Sequence, residues 1–254
     1  MNHDIPEKLR AFFDTHHKLA IAFSGGCDSA YLLDAALESG CDARAYYVRT
    51  AFQPAFELDD ARNFCAAHQI PLHILESDIL CHPEVAQNPA DRCYHCKRHL
   101  FTRLIAEARA SGYETVCEGT NASDDISDRP GYRALQELGV LSPLKLCGLT
   151  KPEIRRLSAA RQLPTATKPA CACLATRIPT GTPLTRESLQ RIDTAETRLR
   201  ALGFRDFRVR CVHNMARIQL AQDDLPRALT QRQAICDALS PLFDAVLLDL
   251  AVVR

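Results

Sequence analysis

The first two thirds of the chain alternate short apolar runs with longer stretches of helical period. An amphipathic stretch over residues 5–16 precedes Leu19-Ala20-Ile21-Ala22-Phe23, a buried-strand pattern stopped by Ser24-Gly25-Gly26. Residues 28–39 follow with Tyr31, Leu32, Ala35 and Ala36 on one helical face. The same reading predicts strands at 45–48, 72–75 and 115–118, and helices over 56–69, 94–110 and 131–138. A longer connection spans 80–92 and a polar loop spans 119–129. An apolar segment, Val140 to Leu144, leads to Thr150-Lys151-Pro152-Glu153. These four residues form a capping box with proline in the first turn, opening a helix to near residue 162. Strands alternating with helices in this way predict an α/β fold, a parallel sheet with helices on both faces.

Residues 164–184 are rich in Pro, Thr and Cys, and beyond them the period changes. A helix over 186–202, two strands at 207–212 and 216–220 separated by a tight turn, a helix over 225–239 and a strand at 245–253 predict a small α+β module. The boundary falls near residue 167, so the expected domains are 1–166 and 167–254. No internal repeat or low-complexity tract is visible.

Composition narrows the function classes. Thirty-one Lys+Arg balance thirty-one Asp+Glu among 254 residues, so no broad basic field is available to hold nucleic acid. No apolar run approaches the roughly 20 residues of a membrane-spanning helix. The opening MNHDIPEKLR lacks an apolar signal segment, and the expected location is cytoplasmic. The twelve cysteines are then not expected to form a disulfide framework, and most should pack as small hydrophobes.

Ser24-Gly25-Gly26-Cys27-Asp28-Ser29 lies between the first strand and the first long helix. There two glycines let the backbone curl, so that N–H groups and the helix N-terminus converge on an anion. The serines add hydroxyl donors, and Asp28 is placed to hold Mg2+ against a pyrophosphate. No lysine follows the glycines, so this is not the GxxxxGK[ST] loop; an ordinary glycine-rich turn is the plainer reading of these residues alone. Strand, SGGxDS and helix in this order resemble the PP-loop of the ATP pyrophosphatases, the superfamily of argininosuccinate synthetases, NAD synthetases and tRNA thiolases. The resemblance implies an enzyme that cleaves ATP to AMP and pyrophosphate. A substrate oxygen is adenylated, and a nucleophile then displaces AMP.

Cys93-Tyr94-His95-Cys96 is a CxxC and Cys171-Ala172-Cys173 a CxC. With twelve cysteines such spacings arise readily by chance, and context carries more weight. The CxxC opens a predicted helix, where the dipole favours thiolate, and Arg92, Lys97 and Arg98 add positive charge. The CxC lies in a proline-flanked segment beside Lys168 and Arg177. Four separated motifs now stand in order after SGGxDS's strand: the loop itself, Asn88-Pro89-Ala90-Asp91-Arg92-Cys93-Tyr94-His95-Cys96-Lys97, Glu118-Gly119-Thr120-Asn121 with Asp128-Arg129-Pro130-Gly131, and Lys168-Pro169-Ala170-Cys171-Ala172-Cys173-Leu174-Ala175-Thr176-Arg177-Ile178-Pro179. Together, from residue 18 onward, they resemble the LarE family, ATP-dependent sulfur transferases that build the nickel-pincer nucleotide of lactate racemase.

The resemblance implies adenylation of a carboxylate of pyridinium-3,5-biscarboxylic acid mononucleotide, then displacement of AMP by sulfur to give a thiocarboxylate. One type in the family sacrifices a single cysteine, whose position falls on Ala172 here. The other type carries three cysteines that hold a 4Fe-4S cluster, matched here by Cys93, Cys96 and Cys173. Such a set leaves one iron without a protein ligand, free to hold an extra sulfide. A four-cysteine zinc site including Cys171, and a redox pair or direct thiol donor, stay open. Asp28, Cys173 and Arg177 make up the expected catalytic set. Ser24, Gly25, Gly26, Asp28 and Ser29 are expected to bind ATP, and Arg129 to meet a phosphate or carboxylate of the bound nucleotides. The other eight cysteines read as packing, Cys27 being the closest case because it sits inside the loop.

Further polar candidates complete the picture. Asp124, Asp125 and Asp128 crowd the loop after the fourth strand, either as ligands or as a solvated turn. Arg208 and Arg210 share a strand face, with Arg217 on the neighbouring strand, and could bind the substrate phosphate or line a solvated face. Glu196 matches an acidic residue near the sulfur centre of the family, whereas Gln219 stands where the sacrificial type has a second glutamate. His95 is expected on an exposed helical face. The implied partners are the small pyridinium nucleotide, a sulfur donor protein or free sulfide, and further copies of the chain in a homo-oligomer. No nucleic acid or membrane is expected. A tRNA thiolase and a nucleotide-regulated sulfur carrier are the competing classes, and zero net charge argues against the first.

Overall fold

Four parallel strands organise the first of two structural units in the computed structural model, which describes residues 5–125 and 130–252. This unit runs to Thr50 and includes Ala55–Ile79 and Asp91–Cys171; the second comprises Ala51–Pro54, Leu80–Ala90 and the chain from Ala172. In chain order the first unit begins with α1 (Glu7–Thr15), β1 (Lys18–Ala22), α2 (Cys27–Glu38), β2 (Asp42–Arg49), α3 (Ala55–Ala67) and β3 (Leu72–Glu76). After α4 (Pro83–Ala86), which belongs to the second unit, it continues with α5 (Arg92–Ala110), β4 (Thr115–Cys117), α6 (Pro130–Glu137), α7 (Pro143–Leu146) and α8 (Lys151–Ala160).

The strand order is β3-β2-β1-β4, with Leu19 opposite Ala43 on one side and Thr115 on the other. A two-residue period divides the strands between two cores. Leu19, Ile21, Ala45 and Tyr47 pack into one cluster with Leu9, Leu32, Leu58 and Ile154. Ala20, Tyr46 and Val116 pack on the opposite face with Leu104, Ala108 and Leu135. Both faces are therefore buried, which explains why these strands read as continuous apolar runs. The expected parallel sheet with helices on both faces is the observed one. The capping box of α8 is also present: Thr150 N–H and Oγ1 donate to Glu153 Oε2 at 2.9 and 2.6 Å.

The second unit holds α9 (Arg186–Ala201), β5 (Phe207–Val212), β6 (Met215–Leu220), α10 (Leu225–Thr230), α11 (Arg232–Leu239) and β7 (Ala245–Leu248). β5 and β6 form an antiparallel hairpin through His213 and Asn214, both with positive φ (47° and 62°), as a two-residue turn matched to strand twist requires. β6 and β7 are parallel, joined through α10 and α11. Leu199, Phe204, Val209, Ala216, Ile218 and Leu239 fill the core. Asn88 is buried here, donating to Pro179 O at 2.9 Å and accepting from Gly181 N–H at 2.8 Å.

Two expectations need correcting. The helix over 225–239 is two helices, because Gln231 (φ −95°, ψ 14°) leaves helical geometry between them. The last strand stops at Leu248 rather than 253, where Asp249 turns back to accept the Ala251 N–H. Among the described residues no helix is long and apolar enough to cross a membrane. At the start of α9, Ser188 N–H donates to Thr185 Oγ1 at 3.1 Å. Thr185→Ala should therefore cost about 1 kcal/mol, read as a lower denaturation midpoint; an unchanged midpoint would show that the cap carries no weight.

Candidate active site

The loop after β1 and the loop after β4 leave the sheet where the strand order reverses. From β1 the chain steps outward to β2 and β3, then returns to place β4 on the other side of β1. A crevice at such a reversal is where open α/β sheets bind ligands. Gly25 has φ 70°, and Gly26 is the N-cap of α2 without any side-chain cap, so the first N–H groups of that helix remain available to an anion. Ser24 and Ser29 close the loop on itself: their Oγ atoms lie 3.1 Å apart, and Ser29 Oγ donates to Gly26 O at 3.2 Å. Gly119, after β4, approaches from the other side. A Cβ there would stand 3.0 Å from Ser29 N and 3.3 Å from Asp28 Cβ, tighter than most side chains pack, so glycine favours the close approach. Next to it Glu118 is buried and accepts from Ser142 Oγ at 2.5 Å and Thr120 Oγ1 at 2.8 Å.

Two lysines from distant segments reach this loop, and local sequence pattern did not announce either role. Lys151, the first residue of α8, donates to both oxygens of Asp28 at 2.8 and 2.7 Å. Lys168 donates to Gly25 O at 3.0 Å and pairs with Asp60 at 2.7 Å. Arg155 holds that segment by donating to Ala166 O and Lys168 O at 2.7 and 2.9 Å. The loop that lacks a lysine of its own thus has two supplied by the fold. Cys27 is buried within it, 3.6 Å from Ser158 Oγ, and serves packing.

Cys93 and Cys96 occupy the first turns of α5, Cys93 exposed and Cys96 half-buried. The Arg92 guanidinium donates to Cys93 Sγ at 3.5 Å. Gly131 of α6 lies where a Cβ would meet Cys93 O at 3.4 Å and Lys97 Cδ at 3.2 Å, letting α6 pack closely on this turn. Cys171 is exposed at the end of the first unit, and Cys173 caps a 3-10 helix, Leu174–Arg177, in the second. Of the eight cysteines expected to pack, Cys27, Cys41, Cys65 and Cys117 are buried, but Cys81 and Cys236 are exposed. Burial pushes the Cys65 thiol up to about 11 and raises Cys117 further, which keeps both protonated and inert. Arg129 and Asp128 lie outside the described residues.

In the second unit Arg177 is 2% exposed and forms a forked pair with Glu196, 3% exposed, through Nε at 2.7 Å and a terminal nitrogen at 3.3 Å. Glu196 also accepts the Val209 N–H at 3.0 Å, fixing the 3-10 helix to β5. Arg208 and Arg210 share one face of β5, and Arg210 stands directly opposite Arg217 of β6. Arg210 donates to Gln219 Oε1 at 2.5 Å and Thr176 O at 2.9 Å, while Gln219 and Arg217 both engage Asp249. Burial, then the charges of Arg177, Arg217 and Arg208, hold the Arg210 guanidinium below its ordinary pKa. A sheet face with this excess of positive charge is suited to an anion.

Over 240 residues the chain is 30% identical to the pyridinium-3,5-bisthiocarboxylic acid mononucleotide synthase of Lactiplantibacillus plantarum, covering 93% of this chain and 87% of that protein. The chain belongs to this synthase family. An uncharacterized protein of Synechocystis sp. is 38% identical over 223 residues, 86% of this chain and 82% of that relative. Argininosuccinate synthase of Haloquadratum walsbyi is 26% identical over 160 residues, 58% of this chain and 40% of that enzyme. No protein-family model matches the chain. Within the synthase family frame, Glu196 does not stand as an isolated acid but is neutralised by Arg177, so removing it strands a buried charge. Glu196→Ala should cost about 3–5 kcal/mol in chemical denaturation; a loss below about 1 kcal/mol would contradict a dry pair.

Proposed function

We propose that this protein is an ATP-dependent sulfur transferase that converts a carboxylate of pyridinium-3,5-biscarboxylic acid mononucleotide to a thiocarboxylate in nickel-pincer cofactor biosynthesis. Membership of the synthase family supports the acceptor, and the uncapped N-terminus of α2 beside Asp28 at the strand-order reversal carries the ATP reading. In this reading residues 1–166 bind and cleave ATP, and residues 167–254 bind the nucleotide substrate and receive sulfur.

Backbone N–H groups of Gly25, Gly26 and the first turn of α2, with the hydroxyls of Ser24 and Ser29, cradle the polyphosphate. Asp28 is the residue that would hold Mg2+, whose charge would offset that of the leaving pyrophosphate. Arg129 adds a cation to the nucleotide. A substrate carboxylate oxygen attacks the α-phosphorus, the bond to the β-bridging oxygen breaks, and pyrophosphate leaves an acyl adenylate. Hydrosulfide sulfur then attacks the acyl carbon; AMP departs with the electron pair of the acyl C–O bond and the thiocarboxylate sheds the sulfur's proton. Arg208 and Arg210 bind the phosphate of the pyridinium nucleotide and present its carboxylates. Arg177 orients the segment that carries Cys173.

Cys93, Cys96 and Cys173 are the residues that would hold a 4Fe-4S cluster, whose iron without a protein ligand supplies a site for the transferable sulfide. The exposed Cys93 and the half-buried Cys96, together in the first turns of α5, fit such ligation. Anaerobically purified protein should contain iron and acid-labile sulfide; stoichiometric zinc with full activity in their place would replace the cluster by a zinc site.

Asp28→Asn should lower pyrophosphate release at least about 100-fold while leaving iron content unchanged. Release at the normal rate would remove Asp28 from the reaction. Cys173→Ala should keep carboxylate-dependent pyrophosphate release yet form no thiocarboxylate. Pyrophosphate release that responds to tRNA and ignores the pyridinium dicarboxylate would instead favour a tRNA thiolase.

A further inference from the structure

Both oxygens of Asp28 are engaged by Lys151 Nζ, at 2.8 and 2.7 Å, so the carboxylate assigned to Mg2+ already carries a cation. The backbone of Lys151 is fixed twice over. It lies within the Thr150–Glu153 capping box, and its own N–H donates to Ser123 Oγ at 2.9 Å, in the loop after β4. Its side chain is part-exposed, and among the described residues Asp28 is its side-chain partner. Lys168 is different in kind. Its Nζ is tied to Gly25 O and to Asp60, and its backbone carbonyl is clamped by Arg155. Lys168 is tied to the loop backbone, whereas the Lys151 ammonium is held by the Asp28 carboxylate.

An ammonium and a divalent ion on one carboxylate repel each other, and Lys151 Nζ sits on both Asp28 oxygens, so Mg2+ competes with Lys151 for Asp28. Free metal offers the displaced ammonium no new partner. Metal that arrives with ATP brings phosphate oxygens, and the ammonium exchanges a carboxylate for a phosphate without losing its counter-charge. We propose that Lys151 is a positioning cation that holds Asp28 until Mg2+ arrives with ATP, then transfers to the polyphosphate, making metal binding depend on nucleotide. This rests on the assignment of the loop to ATP made above. The coupling is reciprocal: nucleotide strengthens metal binding, and metal strengthens nucleotide binding.

The test uses the full chain and Mn2+ in place of Mg2+, with free Mn2+ followed by electron paramagnetic resonance and ATP affinity by calorimetry. Lys151→Met should bind Mn2+ without nucleotide about fivefold more tightly than the unaltered protein. The same variant should bind ATP with Mn2+ about tenfold more weakly or worse. The gain in metal affinity should vanish when Asp28→Asn is added, and Lys151→Arg should keep the nucleotide dependence. Unchanged metal and ATP affinities in Lys151→Met would reduce the pair to a tie between α2 and α8 and overturn the proposal. So would a change in only one of the two. Circular dichroism confirms folding, and Lys151→Gln repeats the measurement should the Met variant not fold. Absence of ATP binding and pyrophosphate release in the unaltered protein would instead overturn the ATP reading itself.

Discussion

Parallel pairing of β1 with β4, Ala20 opposite Val116 and Ile21 opposite Cys117, is the constraint on which the site depends. Parallel neighbours cannot be joined by a tight turn, so each connection must cross over with a helix. The chain uses this freedom to step outward through β2 and β3 and then return to the far side of β1. Two loops that are far apart in sequence therefore leave adjacent strand ends. The glycine at position 119 lets them touch, because any Cβ there would press on Ser29 N at 3.0 Å. An uncapped helix N-terminus, a carboxylate and two lysines then share one edge of the sheet. Their grouping follows from strand order rather than from any one segment.

The second unit meets a different electrostatic problem. Arg177 and Glu196 are almost dry, and such a pair is a poor source of net stability but a strong constraint on geometry, since neither partner tolerates the loss of the other. It fixes the start of β5 against the 3-10 helix that follows Cys173. On the exposed sheet face Arg210 and Arg217 stand opposite one another, an arrangement that ordinarily destabilises a ladder. Gln219 and Asp249 relieve part of that repulsion, with the Asp249 carboxyl held below its usual range first by the Ala251 N–H and then by Gln219 and Arg217.

Burial sorts the cysteines more sharply than spacing does. Cys65 and Cys117 sit in apolar surroundings that keep the thiol protonated, so they behave as small hydrophobes. Cys93 is exposed at the start of a long helix, with the Arg92 guanidinium donating to its sulfur. Cys81 and Cys236 are exposed without lying in any of the motifs, and nothing in the structure explains why cysteine stands at these positions.

Much of this was legible in the chain itself. The two-residue and 3.6-residue periods, the Thr150–Glu153 box and the SGGxDS turn report contacts within a few residues, and those local preferences act before any tertiary partner is chosen. They determined the strands, most helices and the glycine-rich loop after β1. The break at Gln231 was missed because the apolar period continues across it from Ala228 to Ile235. Segments 51–54 and 80–90 join the second unit although their neighbours in sequence belong to the first, and no linear pattern announces that. Lys151 and Lys168 meet the loop across 123 and 143 residues of chain. A side chain's partner at such separation is decided by which strands pair and which helix packs on them, so only the tertiary structure could turn a loop without a lysine into one with two.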